Sequence, residues 1–446
     1  MKSFYTVMSL AVATVAALSS FSARTVAATF SIGQNFTGLT LSDVVGLNGY
    51  AVAPPDTMGA VGPDDFVEFI NGGFSVYDKK SATPIKTVSD VEFWNDIAGV
   101  QPEQNSLSDT RILYDSASQR WFAAEIDVPF QANGDLKSNH FLLAVSDSSD
   151  PTAGWKGFKI DADSTNSLFL DYPTLGLNAD GVYLASNNFN TFSDPDDTVR
   201  GVTLVSIPKS DLLSSTPTVA NATIFQNLDA REFGFTLQPS VEFGSSKGRE
   251  SILATGCSGV DCGEFSTQLY GELHRTDLVN TNTNSAGLTQ TDDIGVSSYL
   301  HPPFGTQPDG SQQIDAGDTR INSTVVKIGN SLWAVHSSEV DGQSALRWYE
   351  IDATTNAVLQ SGTIGDSEHD YSYPSIAVNE FGDAVIGFTR SGLDEFLSSY
   401  AVVGDTVEGV TTFGSPLLLK AGVDNYHLFG GSGERWGDYS ATTVRS

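Results

Sequence analysis

The sequence contains few cysteines, few basic residues and, after its first 28 residues, no long hydrophobic segment. The presence of only 2 cysteines excludes a fold held together by many disulfides. Lys and Arg number 23 against 54 Asp and Glu, so the formal charge of −31 disfavours binding to nucleic acid or to an anionic membrane. No later stretch reaches the roughly 20 apolar residues that cross a bilayer, so we expect no membrane span.

The N-terminus has the pattern of an export signal. Lys2 provides a thin basic region, residues 7–18 form an apolar core, and residues 26–28 provide small side chains for cleavage. We therefore assign residues 1–28 to a signal peptide and residues 29–446 to one mature domain. The product is expected to be secreted, extracellular or held at the cell surface.

The two cysteines lie close together in the chain, at Cys257 and Cys262. Export favours a local disulfide between them. Two thiols without a nearby His or Cys pair are too few for a zinc site, so the metal interpretation is the weaker one.

A short phrase, an acidic or polar residue followed by a strand-like apolar run, recurs along the chain. It occurs at Asp56–Val61, Asp109–Tyr114, Asp171–Leu175, Leu237–Val241, Asp318–Ile321, Ser372–Ile376 and Asp438–Ala441. Most phrases are followed by further apolar runs, with Gly, Asp and Asn between them, which is typical of antiparallel strands joined by hairpins. Repeated units that cannot each bury a core indicate a closed or stacked array.

These features predict an all-β fold, a β-propeller with four-stranded antiparallel blades. We expect seven blades, with six as the alternative, because a seventh phrase begins at Asp438. The last blade would be incomplete, or residues 29–51 would close it. We expect a monomer.

Propeller geometry predicts where a site would lie. The first strand of each blade starts at one face beside the central axis, and the second strand ends at that face, so polar residues there should meet at one mouth. The ligand-binding candidates are Arg111, Asp171, Asn187, Arg320, Arg390 and Asp438, and the catalytic candidates are Asp109, Asp318, Glu125, His336 and Tyr373. Carboxylates and guanidiniums at a concave opening can bind a cation, a sugar acid or a hydroxyl-rich glycan.

Structural roles for the same residues stay open. An Asp at a strand start, such as Asp56, often only caps backbone N–H groups. Arg111 and Arg320 each lie two residues after an Asp, where a salt bridge is the alternative to ligand binding. A neutral histidine that ends a buried strand, such as His336, is usually a satisfied core residue.

Two acidic segments suggest a metal. Residues 161–166 and 194–197 crowd oxygen ligands, which suit Ca²⁺, although an ordinary Asp-rich turn is the alternative. The sequence has no phosphate-binding glycine loop, no His-Glu-x-x-His zinc helix and no Gly-x-Ser-x-Gly elbow. No cofactor is required by any motif.

Four segments carry a family resemblance: residues 54–62, 120–122, 373–378 and 435–443. They resemble secreted bacterial proteins with sialidase-like β-propellers, most of which have no established activity, and the resemblance covers essentially the mature chain. Members of that group commonly continue past the Trp-Gly-Asp-Tyr-Ser phrase into further strands. Residues 146–155 are similar to one Asp-box, a turn that supports the architecture and says nothing about hydrolysis.

The resemblance implies what a sialidase would need: an arginine triad, a Tyr–Glu nucleophile pair and an Asp acid. Arg111, Arg320 and Arg390 match the triad only by position, and Tyr373 is the nearest candidate nucleophile. We favour a module that binds an extracellular glycan or a surface protein. The alternative is a glycan-active hydrolase or lyase, so catalysis stays an open question.

Overall fold

The computed structural model describes residues 30–191, 201–244, 246–257, 268–430 and 433–444. In these ranges six groups of antiparallel strands follow one another along the chain and form the blades of a propeller. Each blade starts with its innermost strand and adds strands outward through hairpins. The predicted all-β propeller with four-stranded antiparallel blades is confirmed. The described part of the chain has six blades, the smaller of the two expected numbers.

The strands of the first three blades follow chain order. Blade 1 contains β1 (Met58–Val61), β2 (Asp65–Ile70), β3 (Gly73–Asp78) and β4 (Pro84–Val88). Blade 2 contains β5 (Leu107–Asp115), β6 (Arg120–Asp127), β7 (Phe141–Ser146) and β8 (Trp155–Ile160). Blade 3 contains β9 (Leu168–Leu177), β10 (Gly181–Asn190), β11 (Gly201–Pro208) and β12 (Thr223–Leu228).

The remaining blades vary at their outer edges. Blade 4 contains β13 (Phe235–Val241), β14 (Arg249–Thr255) and β15 (Tyr270–Val279), with β16 (Gly287–Gln290) and β17 (Ile294–Tyr299) both paired to β15. A hairpin of β18 (Gly305–Thr306) and β19 (Gln312–Ile314) precedes blade 5. Blade 5 contains β20 (Val325–Ile328), β21 (Ser331–Val340), β22 (Gln343–Asp352) and β23 (Val358–Ile364). Blade 6 contains β24 (His369–Val378), β25 (Ala384–Gly392) and β26 (Glu395–Val407), with β27 (Val410–Phe413) and β28 (Leu417–Lys420) both paired to β26.

Burial explains the composition of these strands. The innermost β9 is buried along nearly its whole length, because its two faces pack against neighbouring blades. The outer β23 alternates between partly buried and exposed residues, as expected for a strand with one face in solvent. The Asp-box-like segment lies in the turn between β7 and β8, the third and fourth strands of blade 2, as predicted.

Helices are short and lie in connections. They are α1 (Leu41–Asn48), α2 (Asp90–Glu92), α3 (Lys209–Leu212) and α4 (Ala230–Phe233), with a π-helical turn at Phe93–Ile97. The sequence determines both ends of α1. Thr40 and Asp43 form a reciprocal capping box at its start, and Gly49 ends it with a left-handed φ of 79°.

Hydrophobic clusters fill the seams between successive blades. The cluster between blades 1 and 2 contains Phe69, Phe74 and Trp121, all fully buried. Comparable clusters occupy the next four seams. Such burial is the main force that holds repeated units together.

The seam between blades 6 and 1 is built differently. The ring of Phe36 packs on Phe66 and Tyr77 of blade 1, at centroid distances of 6.0 and 5.0 Å. The side-chain amide of Asn35 donates to the Leu419 carbonyl of blade 6 at 2.7 Å. Residues 30–51 therefore bridge the two blades through side chains and add no strand to either.

The expectation of a seventh blade is not met in the described residues. The phrase at Asp438 starts no sheet, and residues 438–444 run along the axis without strand pairing. The hydroxyl of Tyr439 donates to the Thr110 carbonyl of blade 2 at 3.0 Å, and the Thr442 hydroxyl lies 2.7 Å from that of Ser375 in blade 6. The segment is held by inner strands of existing blades, and residues 438–444 form no strand.

Several predictions fall on residues outside the described ranges. The signal peptide, residues 194–197 and Cys262 lie there, so the leader and the disulfide stay predictions; Cys257 itself is buried. Among the described residues, no helix has the length and apolar character needed to cross a membrane.

Candidate functional site

The innermost strands share an irregularity close to the axis. A residue with left-handed backbone conformation interrupts the start of the phrase in five blades: Asp56 (φ 45°), Asp109 (φ 67°), Tyr172 (φ 54°), Thr236 (φ 59°) and Tyr373 (φ 51°). In β5, β9, β13 and β24 the pairing register shifts at this point, as in a β-bulge. The bulge re-aims the side chains at the start of each inner strand.

Polar side chains at these starts bind the backbone of a neighbouring segment. The N–H groups of Asp438, Tyr172 and Thr236 donate to Asp56 Oδ1 at 2.7 Å, Asp109 Oδ2 at 3.1 Å and Asn187 Oδ1 at 3.0 Å, respectively. All three acceptor side chains are buried. Capping of backbone donors, the structural alternative for an Asp at a strand start, is therefore realised at Asp56 and Asp109, and Asn187 caps a backbone donor in the same way from near the end of β10.

Four predicted residues meet in a small polar pocket on the face where the inner strands start. The pocket has a volume of about 50 Å³ and is lined by His301, Asp315, Gly317, Asp318, Arg320, Asn322, Tyr373, Arg435 and Asp438. We call it the polar pocket. Its volume is far below the roughly 300 Å³ of a small-molecule site, so it admits one small group of a ligand.

Two ion pairs line the polar pocket. Arg320 Nε and Nη2 contact Asp318 Oδ1 and Oδ2 at 2.9 and 2.5 Å, and the side chains are 15% and 2% exposed. Burial raises the pKa of Asp318, but the Arg320 guanidinium outweighs it and leaves the pKa below its ordinary value. Arg435 pairs with Asp438 and is 46% exposed, so its guanidinium can reach a ligand.

Tyr373 and Asn322 define the hydrogen-bonding capacity of the polar pocket. The Tyr373 hydroxyl donates to the Asp315 carbonyl at 2.7 Å, and burial raises its pKa well above the ordinary value. It therefore stays neutral and is a poor nucleophile. Asn322 donates through Nδ2 to the Asp438 carbonyl at 2.9 Å, whereas its buried Oδ1 accepts no hydrogen bond from the described residues.

Arg111 lies deeper, between aromatic rings. Its guanidinium carbon is 3.4 Å from the Tyr439 ring centroid and 5.0 Å from that of Tyr172, and its Nε donates to the Pro173 carbonyl at 2.7 Å. It is 2% exposed. Arg111 consequently supports the floor of the site and does not line the polar pocket.

Asp171 is partly exposed and does not line the polar pocket. Burial, reinforced by the Asp109 carboxylate and opposed by Arg320, raises the pKa of Asp171 to about 7. The ring of the following Tyr172 lies 4.3 Å from the Arg320 guanidinium carbon. Asp171 is therefore a carboxyl near this face with a pKa raised close to neutral pH.

Two predicted residues lie in the core, away from the polar pocket. Glu125 is fully buried and accepts from Trp94 Nε1 at 2.5 Å; burial raises its pKa well above the ordinary value. His336 is fully buried, with Nδ1 2.8 Å from the Ser337 carbonyl and Nε2 3.0 Å from the Tyr349 hydroxyl. Since burial lowers its pKa to about 4, His336 is a neutral core residue and not a proton donor at the mouth.

Arg390 is also separate from the polar pocket. Its Nε contacts Glu395 Oε2 at 2.6 Å, and its Nη2 donates to the Tyr400 hydroxyl at 2.7 Å, all within blade 6. Arg111, Arg320 and Arg390 therefore do not form one triad around a common group.

Four lining residues with polar side chains were not predicted from sequence. Arg435 lies directly before the Trp-Gly-Asp-Tyr phrase, and Asp315 lies three residues before the Asp-Thr-Arg phrase, so proximity to a phrase could have indicated both. His301 and Asn322 come from the long connection between blades 4 and 5. Asn322 directly follows the Asp318–Ile321 phrase, whereas no repeat marks His301.

The acidic segment 161–166 forms a turn with many internal hydrogen bonds, and Gln226 of β12 also donates to Asp163. The Asp163 carboxylate accepts from the N–H groups of Ser167 and Leu168 at 2.7 and 2.6 Å and from the Thr165 hydroxyl at 2.5 Å. In the described part of the chain no cluster of three or more His, Cys, Asp or Glu side chains has the geometry of a metal site. The alternative of an Asp-rich turn accounts for this segment, and Ca²⁺ binding stays a prediction.

Fold and site together define a β-propeller, with six blades in the described ranges and an ion-paired polar pocket at one end of its axis. No protein-family model and no curated protein matches the sequence. Similar solved structures include a subtype N10 neuraminidase-like protein of A/little yellow-shouldered bat/Guatemala, with 7% identity, a TM-score of 0.41, and coverage of 79% of this chain and 94% of that one.

Two glycoside hydrolases are also similar in structure. The GH43 endo-arabinanase of Bacillus licheniformis has 15% identity and a TM-score of 0.30, with coverage of 74% of this chain and 95% of that one. A family 117 glycoside hydrolase of the marine bacterium Zobellia galactanivorans has 12% identity and a TM-score of 0.33, with coverage of 64% and 79%. None of these similarities assigns the chain to a family.

Proposed function

We propose that the protein is an exported β-propeller module that binds the hydroxyl groups of an extracellular glycan, free or carried by a surface protein, through the polar pocket. The observation that carries this proposal is the pairing of donors and acceptors in one small opening. Arg435 offers an exposed guanidinium, and Asn322 offers an acceptor oxygen with no partner among the described residues. A hydroxyl can accept from the first and donate to the second.

Charge favours a neutral ligand group over an acidic one. Three carboxylates and two guanidiniums line the polar pocket, and the whole chain carries a formal charge of −31. A ligand carboxylate would face this excess of negative charge, whereas a hydroxyl would not. The volume of about 50 Å³ means that one such group enters and the rest of the glycan lies across the surface.

Glycan hydrolysis is the second candidate, and Asp171 is the observation that favours it. A partly exposed carboxyl with a pKa near 7 could transfer protons at neutral pH. The polar pocket, however, contains no Glu beside Tyr373 among its lining residues, and Tyr373 is held neutral by burial. A sialidase-type nucleophile is therefore missing from this pocket.

A glycan array tests the proposal. The wild-type protein and the Arg435→Gln variant would be compared on neutral glycans, sialosides, uronides and sulfated polysaccharides, with product release measured in parallel. Arg231→Gln is the matched control, because Arg231 also pairs with an Asp and is 65% exposed, but lies in the short helix α4, outside the polar pocket.

The proposal expects saturable binding to neutral glycans that Arg435→Gln weakens at least several-fold and Arg231→Gln leaves unchanged. Turnover that is lost in Asp171→Asn, with the fold retained, would establish the enzyme instead. Absence of any glycan binding by the wild-type protein would refute the module.

A further inference from the structure

The opposite end of the axis holds a second opening, about eight times larger than the polar pocket by the ratio of 400 to 50 Å³. It lies where the inner strands end and where residues 440–444 leave the axis. None of the catalytic or ligand-binding candidates predicted from the sequence lines it. We call it the apolar pocket, and its volume of about 400 Å³ falls within the range of small-molecule sites.

The lining of the apolar pocket is mainly hydrocarbon. Ile112, Val241 and Val326 contribute from three different blades, and all three belong to or pack against hydrophobic clusters. Phe243 and Phe381 also line it, although they are 39% and 69% exposed. Aromatic side chains exposed at a concave apolar surface are typical of a binding site, because a ligand removes their surface from water.

One hydroxyl in the apolar pocket is unsatisfied. Ser323 lines the pocket and is 4% exposed, and its Oγ has no hydrogen-bond partner among the described residues. By contrast, the Ser440 hydroxyl in the same pocket donates to the Tyr373 carbonyl at 2.9 Å. A buried hydroxyl without a partner is unfavourable, so a ligand that hydrogen-bonds to Ser323 would remove this penalty.

The charge of the lining disfavours anionic ligands. No Lys or Arg lines the apolar pocket, and Glu380 is the acidic residue there. An anionic ligand would meet a carboxylate and a strongly acidic protein.

We propose that the apolar pocket binds a small uncharged molecule with one or two rings and a single hydroxyl or carbonyl group that hydrogen-bonds to Ser323. This site is separate from the polar pocket, and it does not depend on the function proposed for that pocket.

Titration with naphthalene and 1-naphthol tests the inference. The two compounds share an apolar body and differ in one hydroxyl, and binding can be followed by ligand-observed NMR. The expected result is saturable binding of both, with 1-naphthol tighter by roughly 5-fold, the factor that one net hydrogen bond supplies.

Variants of the lining sharpen the test. Ser323→Ala should retain naphthalene binding and remove the preference for 1-naphthol, whereas the matched Ser440→Ala should keep that preference. Thr324→Trp should block both compounds by filling the pocket, which Thr324 lines. If Thr324→Trp fails to fold, Phe381→Ala serves instead, because Phe381 lies in an exposed turn; the control is Leu393→Ala, whose side chain is 66% exposed in another turn.

The proposal expects Phe381→Ala to weaken both compounds several-fold and Leu393→Ala to have no effect. Three results would overturn it: no saturable binding to the wild-type protein, an unchanged 1-naphthol preference in Ser323→Ala, or equal loss of affinity in Phe381→Ala and Leu393→Ala.

Discussion

The two ends of the propeller axis are stabilised by different interactions. At the end with the polar pocket, two ion pairs, Asp318–Arg320 and Arg435–Asp438, line an opening with a volume of about 50 Å³. At the other end, hydrocarbon surrounds about 400 Å³ and one serine hydroxyl has no partner in the described chain. The polar end is therefore held by charge pairing and the apolar end by packing, and different substitutions should perturb each.

The largest expected effect is at the polar end. Arg320→Gln leaves the 2%-exposed Asp318 carboxylate without its partner, which should cost about 3–5 kcal/mol in the free energy of unfolding. Urea denaturation measures this loss. Arg231, in the short helix α4, forms the same two-residue pair with Asp229 in an exposed position, so Arg231→Gln should leave stability unchanged. Equal effects of the two substitutions would show that burial of the pair at the axis is unimportant.

The next effect concerns pH. Because the pKa of Asp171 is raised in the folded state to about 7, its contribution to stability is present at low pH and is lost as the pH rises through about 7. Asp171→Asn should therefore remove about 1 kcal/mol of the stability change between pH 6 and pH 8.

Unfolding curves of wild-type protein and Asp171→Asn across that range measure the difference. Asp229→Asn is the control, because hydrogen bonds from Arg231 lower the pKa of Asp229 to about 2, far below this window. A pH profile that Asp171→Asn leaves intact would contradict the assignment of this titration to Asp171.

At the apolar end, substitution of two serines should have different effects on stability. Ser440→Ala removes hydrogen bonds to the Tyr373 carbonyl and the Ser375 hydroxyl and should cost about 1 kcal/mol. Ser323→Ala removes a hydroxyl that has no partner among the described residues, so stability should stay within about 0.5 kcal/mol of wild type or rise. Thermal unfolding of the two variants compares them, and a larger loss for Ser323→Ala would contradict the contrast.

The repeated phrase was sufficient to predict the propeller, because five of the seven phrases supply an inner strand that must be buried by its neighbours. It was not sufficient for the blade number. The phrase at Asp438 has the same local pattern as the others, yet it contacts the inner strands of blades 2 and 6 and pairs with none of them. Strand pattern alone does not reveal whether a hairpin follows.

The site was predicted in part for a similar reason. Asp318, Arg320, Tyr373 and Asp438 meet because their phrases start at one face. Glu125 and His336 end second strands, but their side chains are fully buried and bond to neighbouring residues. The position of a residue in its strand predicts the end of the axis at which it lies. It does not predict whether the side chain points into the opening or into the core. No repeated phrase marks the position of His301, so its place in the site could not be predicted from the sequence.

A crossed binding experiment tests most directly the claim that the two ends bind different chemistry. Affinity for a neutral glycan and for 1-naphthol would be measured with wild-type protein, Arg435→Gln and Phe381→Ala. Arg435→Gln should weaken the glycan several-fold and leave 1-naphthol unchanged, and Phe381→Ala should do the reverse. If either variant weakens both ligands equally while remaining folded, the two ends do not act as separate sites.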